Sequence, residues 1–274
     1  SETKLINKEG DIINNIEKLK NKIFNEDCIS NNLNEGMNRI PDESIDMILC
    51  DLPYGTTKCK WDTIIPLNKL WNQYNRIIKD NGIIALFSQT PFDKILGVSN
   101  IKMLKYEWIW EKSKPTGHLN SKYAPMKKHE NILIFTNNPT SYTKINKNVR
   151  YYIYKLLTPI NKKINRKYKE ESVYDKKSNK STIQKYSGYP VDIIKFNVVQ
   201  KPIHPTQKPV DLCKYLINIY TKENEVVLDN CIGSGTIAIA CLETNRKYIG
   251  FELNNTYYKK AQERINTYLN KINK

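Results

Sequence analysis

The sequence has no cysteine pair at metal-ligating spacing and no long apolar run. Its six cysteines form no C-x-x-C pair, and Cys50, Cys231 and Cys241 lie inside apolar segments. This distribution predicts reduced core thiols and argues against a disulfide framework or a metal site. No apolar run approaches the ~18 residues that a membrane span needs, and the N-terminus has no apolar segment of the signal-peptide kind. We therefore expect a soluble, cytoplasmic protein that holds no metal ion.

Acidic residues are scarce relative to basic ones, and the imbalance is local. The 274 residues include 44 Lys and Arg against 28 Asp and Glu, a net charge of +16. Residues 105–208 hold 22 basic and 7 acidic residues, whereas 1–104 hold 13 and 14, and 209–274 hold 9 and 7. The 33 asparagines also fit an AT-rich genome, but that bias would spread lysine evenly. The local excess favours a polyanionic partner bound by the middle third.

Short apolar runs alternate with helical spacings over most of the chain, which is typical of an α/β fold with a mostly parallel sheet. The pattern predicts strands at 22–24, 45–50, 83–87, 106–110, 131–135, 225–228 and 248–251. It predicts helices at 67–79, closed by an Asp80-Asn81-Gly82 turn, and at 210–220, 236–244 and 256–269.

Residues 137–203 break this alternation. They show little periodicity and many lysines, and 8 of the 18 tyrosines lie between Tyr142 and Tyr189. Because a compact domain rarely keeps so long an irregular connection without a use for it, we interpret the segment as an inserted recognition region. A disordered Lys- and Asn-rich loop is the alternative. The chain then divides into an N-terminal extension (1–20), a first half (21–136), the insertion (137–203) and a second half (204–274).

A glycine turn joins a predicted strand to a helix at 226–236. Gly233 and Gly235 let a ligand lie against bare backbone at the carboxyl end of the strand, where open α/β sheets bind cofactors. Glu252, at the end of the next strand, can accept hydrogen bonds from both hydroxyls of a ribose. A dinucleotide site and a purely structural turn fit the same residues. Since only 22 residues follow Glu252, the other strands must precede the loop, a circularly permuted order that an ordinary dehydrogenase lacks.

The strand ending at Cys50 delivers Asp51-Leu52-Pro53-Tyr54 to the same edge of the sheet. An exocyclic amino group of a base is a poor nucleophile because its lone pair is delocalised into the ring. A carboxylate and a backbone carbonyl can hold its two hydrogens, an aromatic ring can stack on an extruded base, and a proline stiffens the turn. The four residues supply these parts in order. A D-x-P-Y sequence alone also fits an ordinary surface turn.

Together these motifs resemble the S-adenosylmethionine-dependent amino-methyltransferases of DNA, in the permuted (beta) group whose catalytic D-P-P-Y motif precedes the glycine loop. The similarity extends from about Lys22 to Tyr258. It is carried by Asn25-Glu26-Asp27-Cys28, Asp51-Leu52-Pro53-Tyr54, Ile109-Trp110-Glu111-Lys112, His129-Glu130-Asn131-Ile132-Leu133, His204-Pro205-Thr206-Gln207-Lys208-Pro209, Asp229 to Thr236 and Gly250-Phe251-Glu252-Leu253-Asn254.

The resemblance implies a Rossmann-like methyltransferase fold with permuted motif order, with the catalytic half at 21–136, a target-recognition insertion at 137–203 and the cofactor-binding half at 204–274. It implies S-adenosylmethionine as cofactor and double-stranded DNA as partner. The implied catalytic residues are Asp51, Leu52, Pro53 and Tyr54, and the implied base pocket has Tyr54 and Trp110, although core packing explains Trp110 equally well. The implied cofactor-binding residues are Asp27, Cys28, Asp51, Thr206, Lys208, Asp229, Cys231, Gly233, Gly235, Thr236, Glu252 and Leu253.

One residue departs from the family pattern. Leu52 stands where the family usually has proline, but the acceptor there is the main-chain carbonyl, which leucine retains. Asp51 as first residue resembles the adenine-N6 enzymes, since the cytosine-N4 enzymes tend to have serine. We therefore expect adenine-N6 methylation of DNA. The alternatives are methylation of cytosine N4, RNA adenine or glutamine, a non-catalytic DNA-binding module with a vestigial cofactor fold, and an NAD oxidoreductase. Further candidate partners are a second copy of the chain and a cognate restriction endonuclease, and the nucleoid is the expected location.

Overall fold

The computed structural model describes residues 15–55, 64–140, 148–165 and 181–272. The chain forms two compact units, one comprising Ser1–Tyr151 with Asp192–Lys274 and the other comprising Tyr152–Val191. The larger unit contains β1 (Lys22–Phe24), β2 (Ile45–Asp51), α1 (Leu67–Ile77), β3 (Ile78–Ser88), α2 (Phe92–Ser99), β4 (Leu104–Thr116), β5 (Lys127–Phe135), β8 (Ile193–Phe196), α3 (Val210–Tyr220), β9 (Val226–Asp229), α4 (Thr236–Glu243), β10 (Lys247–Phe251) and α5 (Asn255–Ile272). The smaller unit contains the antiparallel pair β6 (Thr158–Asn165) and β7 (Ser181–Ser187).

The eight-stranded sheet has the order β1-β10-β9-β2-β3-β5-β4-β8. Its first five strands are parallel, β5 is antiparallel to both β3 and β4, and β8 is parallel to β4. Strands from the end of the chain therefore lie beside β2, which confirms the permuted order. The chain leaves β9 toward β10 on one side and leaves β2 toward β3 on the other. The carboxyl ends of β9 and β2 thus flank the crevice where open α/β sheets bind ligands.

The central strands are buried on both faces. Ile48 and Cys50 belong to a core cluster that includes Leu70 and Tyr74 of α1, while Met47 and Leu49 point to the opposite face and are equally inaccessible. Because neighbouring residues of a strand face opposite sides, burial of all four requires cover on each side of the sheet. This explains why the strand at 45–50 shows a continuous apolar pattern with only Asp46 as an interruption.

Asp46 fixes the start of β2 against β9. Its Oδ1 accepts from Arg150 Nη2 at 2.7 Å, and its Oδ2 accepts from the backbone amide of Val226 at 2.9 Å. Arg150, 5% exposed, also pairs with Glu225 at the entrance of β9. Because both charges are buried, each requires the other as a partner. The carboxyl ends of the two strands, where the site lies, are thereby held in register.

The Asp80-Asn81-Gly82 segment is not the turn that the sequence predicts. The helix ends at Ile77 and β3 begins at once, and the pairing with β2 shifts from Ile45 opposite Ile78 to Met47 opposite Ile83. The Asp-Asn-Gly segment forms the resulting irregularity. Its carbonyls accept from side chains that follow β5, Gly82 from Thr136 at 2.9 Å and Asn81 from Asn138 at 2.9 Å. These tertiary hydrogen bonds hold the irregular segment within the sheet.

The predicted insertion at 137–203 is only partly a separate unit. Residues 152–191 form the smaller unit, whereas Ile193–Phe196 add β8 to the edge of the main sheet. Residues 141–147 and 166–180 lie outside the described residues, as do residues 1–14 of the predicted N-terminal extension. Residues 15–19 are helical, and Ile16 is buried in the core cluster. In the described part of the chain the cysteines are free thiols, and no helix there is long and apolar enough to cross a membrane.

Candidate active site

A cavity of about 630 Å³ opens at the carboxyl edge of the sheet, where β2, β9 and β10 end. Small-molecule sites typically occupy roughly 300–1,000 Å³. The four residues that the sequence assigns to catalysis line this cavity, and so do all the assigned cofactor-binding residues except Gly235. The fold therefore brings together motifs from both ends of the chain.

The glycine loop between β9 and α4 has the backbone conformation that requires glycine. Gly233 and Gly235 have φ angles of +51° and +76°, which side-chain-bearing residues rarely adopt. A Cβ on Gly235 would lie 3.3 Å from the Cβ of Ala261 on α5. Gly235 therefore lets α5 pack closely behind the loop, and this explains why it shapes the cavity without lining it.

Glu252, directly after β10, is held by two backbone amides. Its Oε2 accepts from Gly233 at 2.9 Å and its Oε1 from Asn254 at 2.8 Å. Burial raises the pKa of the Glu252 carboxyl, although both amides act to lower it. Asn25, after β1, donates to the carbonyl oxygens of Glu252 and Leu253 at 2.8 and 3.1 Å. The carboxylate therefore has a fixed orientation at the cavity wall, and the acidic turn is tied to the same strand end.

Asp229 and the nearby cysteines Cys28 and Cys231 line one wall of the cavity. Asp229 ends β9 with 3% exposure, and burial raises its pKa to about 7, although its Oδ1 accepts from the backbone amide of Cys231 at 3.1 Å. Asn230 donates its side-chain amide toward the sulfurs of Cys28 and Cys231, each at 3.5 Å. A hydrogen bond with Cys231 and burial raise the pKa of the Cys28 thiol well above its usual range. The thiol of Cys28 is therefore neutral in this wall. Asp27, next to it, accepts from the amide of Ile29 at 2.9 Å.

Asp51 ends β2, and both of its carboxylate oxygens are engaged. The Tyr54 hydroxyl donates to Oδ1 at 2.8 Å, and Lys208 Nζ donates to Oδ2 at 2.7 Å. The Tyr54 ring stacks on Phe92, at the start of α2, with centroids 5.5 Å apart. The turn thus presents a carboxylate and an anchored aromatic ring to one cavity.

Lys208 connects Asp51 to a buried chain of charges. Its Nζ lies 3.1 Å from Glu130 Oε2 on β5, and Glu130 Oε1 pairs with Lys112 Nζ on β4 at 2.5 Å. The side chains of Lys208, Glu130 and Lys112 are 6 to 9% exposed. Two ammonium groups therefore balance two carboxylates, as burial of charge requires. The sequence motifs contain all four residues but do not show that they contact one another. The sequence assigns Lys208 to the cofactor, whereas in the structure its ammonium group pairs with the carboxylates of Asp51 and Glu130.

Burial and charge act in opposite directions in this chain of charges. Burial raises the pKa of Asp51, and the Lys208 ammonium only partly opposes this effect. Burial acts to raise the pKa of Glu130 as well, but the two lysines outweigh it and the pKa is lowered. For Lys208, burial acts to lower the pKa, but the carboxylates of Asp51 and Glu130 outweigh burial and raise it. Lys208 is therefore a permanent cation beside Asp51.

His204 positions the segment that carries Lys208. Its ring lies 4.2 Å, centroid to centroid, from the ring of Tyr257 on α5, and its Nδ1 lies 3.1 Å from the Thr206 hydroxyl. Burial, with the nearby Lys208 and Lys260, lowers the pKa of His204 to about 4, so the imidazole is neutral at physiological pH. His204 therefore packs and orients, and carries no charge.

Trp110 does not line the cavity in which the sequence places it. The side chain is 2% exposed, and its indole N–H donates to the Phe196 carbonyl on β8 at 3.0 Å. The Lys112 ammonium lies 5.3 Å from the centre of its ring. Because β8 adds an edge strand that the sequence pattern did not reveal, Trp110 is buried on β4 opposite Ile194, and its role in a base pocket stays a prediction.

Known proteins share this sequence pattern and this fold. A family model described as DNA methylase matches residues 45–263. The Type II methyltransferase M.HpaI of Haemophilus parainfluenzae is 28% identical over an alignment of 256 residues that covers 88% of this chain and 74% of that protein. Solved structures of DNA methyltransferases share the fold. A complex of M1.HpyAVI with SAM has a TM-score of 0.56 and 21% identity, covering 89% of this chain and 98% of its own. PvuII DNA methyltransferase, described as cytosine-N4-specific, has a TM-score of 0.62 and 13% identity, and the match covers 89% of this chain and 85% of that one.

The permuted sheet, the glycine loop with Glu252 and the Asp51 turn define a Rossmann-like methyltransferase that uses S-adenosylmethionine. The family match covers most of the chain, and the chain belongs to the DNA methylase family that contains N6 and N4 amino-methyltransferases. It is a site-specific DNA methyltransferase.

Proposed function

We propose that the enzyme methylates the N6 amino group of an adenine that is extruded from double-stranded DNA into the cavity. The supporting observation is the Asp51 turn, because its carboxylate, the Leu52 main chain and the Tyr54 ring line one cavity with the glycine loop. Asp51 as the first residue resembles the adenine enzymes of the family. The structural neighbour described as cytosine-N4-specific makes cytosine N4 the second candidate.

The residues assigned to the cofactor offer hydrogen-bond acceptors suited to a nucleoside. When bound, S-adenosylmethionine supplies an electrophilic methyl group. The Glu252 carboxylate, fixed by two amides, is placed to accept hydrogen bonds from ribose hydroxyls, and Asp27 and Asp229 offer further acceptors on the same wall. The left-handed glycines leave backbone exposed for close approach.

Replacing Glu252 by alanine is expected to weaken S-adenosylmethionine binding about 10- to 100-fold, because hydrogen bonds to a charged acceptor contribute roughly 1.5–3 kcal/mol. Isothermal titration calorimetry with the free cofactor measures this directly. Glu263→Ala removes an exposed carboxylate from α5 and serves as the control. Equal affinity of the Glu252→Ala variant and the control would contradict the assignment.

Asp51 and Leu52 are placed to hold the two hydrogens of the target amino group and to aim its lone pair. Tyr54 is placed to stack on the base, since Phe92 supports its other face. Burial raises the pKa of Asp51, so this carboxylate is a better proton acceptor than an exposed one. Positioning and hydrogen bonding by these residues then account for the catalysis without a covalent intermediate.

The product identifies the target atom. Genomic DNA incubated with the enzyme and labelled cofactor is digested to nucleosides, and base-resolution mapping of the same DNA gives the recognition site. We expect the labelled nucleoside of N6-methyladenine, located at one short sequence. Labelled N4-methylcytosine would overturn the adenine assignment, and label found only in RNA or in protein glutamine would overturn the DNA substrate.

We propose residues 137–203, and within them the unit Tyr152–Val191, as the target-recognition region. Its described hairpin carries exposed lysines at 162, 163 and 185 and lies in the basic third of the chain.

Replacing these three lysines by alanine is expected to lower the salt slope of DNA binding by about 0.9 for each phosphate that is no longer neutralised. Fluorescence anisotropy at several salt concentrations measures the slope. A triple variant of Lys69, Lys102 and Lys271, exposed lysines outside the region, is the control. Equal slopes for both triple variants would contradict the proposal.

The remaining partners stay predictions. We propose that the enzyme acts on DNA of the nucleoid in the cytoplasm, that two copies pair to reach both strands, and that a cognate restriction endonuclease reads the same site. Sedimentation of the protein with and without DNA tests the pairing, and a monomer in both conditions would contradict it. The proposed restriction endonuclease is tested by co-expression: DNA that the enzyme has methylated should be protected from cleavage, and unmethylated DNA should be cut.

A further inference from the structure

The hairpin of β4 and β5 ends in an exposed apolar tip. The two strands pair from Leu104 opposite Phe135 to Thr116 opposite Lys127, and residues 117–126, the hairpin tip, project beyond this last pair. Leu119 is 94% exposed and Tyr123 is 90% exposed, and they are the two most exposed large hydrophobic side chains of the described chain. Met126 adds a third, at 44%. Isolated exposed apolar residues are normal, but three within eight residues form a patch.

The hairpin tip has a defined backbone. Gly117 adopts a φ of +88°, and a 3-10 turn over His118–Asn120 follows. Backbone hydrogen bonds close successive turns, from Asn120 to the Gly117 carbonyl at 3.0 Å and from Tyr123 to the Asn120 carbonyl at 2.9 Å. Leu119 and Tyr123 are therefore presented on an ordered scaffold. Ordering them before binding lowers the entropy that a contact has to offset.

The hairpin tip rises from the wall of the active site. Lys112 and Thr116 on β4 and Glu130 on β5 line the same cavity as Asp51. Residues 113–129 include four lysines and no acidic residue, and every one of these residues is exposed. A polyanion that delivers a base to Asp51 therefore passes close to a surface that is cationic and apolar together.

We propose that Leu119 and Tyr123 enter the base stack of the DNA beside the target base, as a wedge that fills the space left by the extruded nucleotide. The proposal rests on the DNA-methylating function proposed above. The lysines at 114, 122, 127 and 128 lie beside the phosphates on either side. Apolar side chains that enter a base step offset the loss of stacking, and the hairpin tip, which begins directly after the cavity-lining Thr116, supplies two of them.

The proposal separates extrusion of the base from the transfer step. A variant with Leu119→Ala and Tyr123→Ala lacks the wedge but keeps the cavity, because both side chains are almost fully exposed and outside its lining. The assay is single-turnover methyl transfer to two synthetic duplexes. One carries the paired site that the wild-type enzyme methylates, and the other has an abasic position opposite the target base, so that the base is already unpaired. Val98→Ala with Ile272→Ala, which removes comparable exposed apolar groups elsewhere, is the control.

We expect the wedge variant to react about tenfold or more slowly than wild type on the paired duplex, since stacking on a base is worth roughly 1–3 kcal/mol. On the unpaired duplex its rate should stay within about twofold of wild type, because the target base leaves the stack there without help from the wedge. Equal losses on both duplexes, or no loss on either, would overturn the proposal, and so would a change of oligomeric state that explains the loss. Genomic DNA that acquires no methyl label from the wild-type enzyme would instead refute the proposed function, so the two failures are distinguishable.

Discussion

Replacing Asp51 by alanine is expected to reduce single-turnover methyl transfer about 10³-fold, the upper range for removal of one preorganised electrostatic group. The carboxylate sits at the end of β2 with both oxygens fixed, one by Tyr54 and one by Lys208. Without it, the amino group loses the acceptor that orients its lone pair and receives its proton. Rapid-quench measurement of labelled methyl transfer, at saturating cofactor and DNA, isolates this step from binding.

Two comparisons distinguish a chemical role of Asp51 from a structural one. In the Asp51→Ala variant Lys208 and Lys112 share the single carboxylate of Glu130, so we expect a lower unfolding temperature, and the rate is compared at a temperature where circular dichroism shows the variant folded. Asp211→Ala removes a carboxylate that is 80% exposed on α3 and should leave the rate unchanged. A wild-type rate for Asp51→Ala would refute the assignment of the catalytic turn, whatever the behaviour of the control.

Replacing Lys208 by methionine is expected to reduce methyl transfer near neutral pH about 10- to 100-fold, because a hydrogen bond to a charged group contributes roughly 1.5–3 kcal/mol and each ~1.4 kcal/mol is a factor of ten in rate. Methionine keeps much of the side-chain length but leaves Asp51 and Glu130 on either side of an uncharged group. The ammonium lowers the pKa of both carboxyls, so its removal raises both. The fraction of ionised Asp51 then falls, and with it the rate.

The Lys208→Met variant should respond to pH in two opposite ways. Its rate should rise with pH, because the ionised carboxylate of Asp51 returns as pH passes its raised pKa. Its stability relative to wild type should fall with pH, because carboxyls whose folded pKa is raised stabilise the fold below the unfolded pKa and lose that contribution as pH rises through the folded value. Single-turnover rates and thermal unfolding from about pH 5 to about pH 9 measure both trends.

Lys112→Met is the matched control for this experiment, since Lys112 contacts Glu130 and not Asp51. It should lower stability with a smaller effect on the rate. A Lys208→Met variant whose rate deficit is the same at every pH would show that Lys208 does not act through the ionisation of Asp51.

Local patterns in the sequence predicted the parts of the site that are built from consecutive residues. The glycine loop needs left-handed backbone at Gly233 and Gly235, and its position between an apolar strand and a helix is visible in the sequence. The Asp51 turn follows directly from a strand as well. Because parallel strands share one carboxyl edge, two such motifs converge on one site wherever their strands lie adjacent in the sheet.

Contacts between distant residues could not be predicted in this way. Lys208 is 157 residues from Asp51, and its second partner Glu130 lies on a strand that runs antiparallel to β3. The edge strand β8 carries only four residues of an irregular segment, so neither its pairing with β4 nor the burial of Trp110 behind it has a periodic signal. In the Asp80-Asn81-Gly82 segment, side chains that follow β5 overrode a strong local turn preference.

The sequence by itself determined the fold class, the permuted order of motifs, the use of S-adenosylmethionine, and the concentration of charge in the middle third. These properties depend on strand and helix periodicity, backbone conformation and composition, all of which are local. Only the tertiary structure decided that Asp51, Lys208, Glu130 and Lys112 form one buried chain of ion pairs. It also decided that the hairpin tip lies beside the active-site cavity. Pairing of buried charges depends on which strands become neighbours, and that choice is made by packing of the whole sheet.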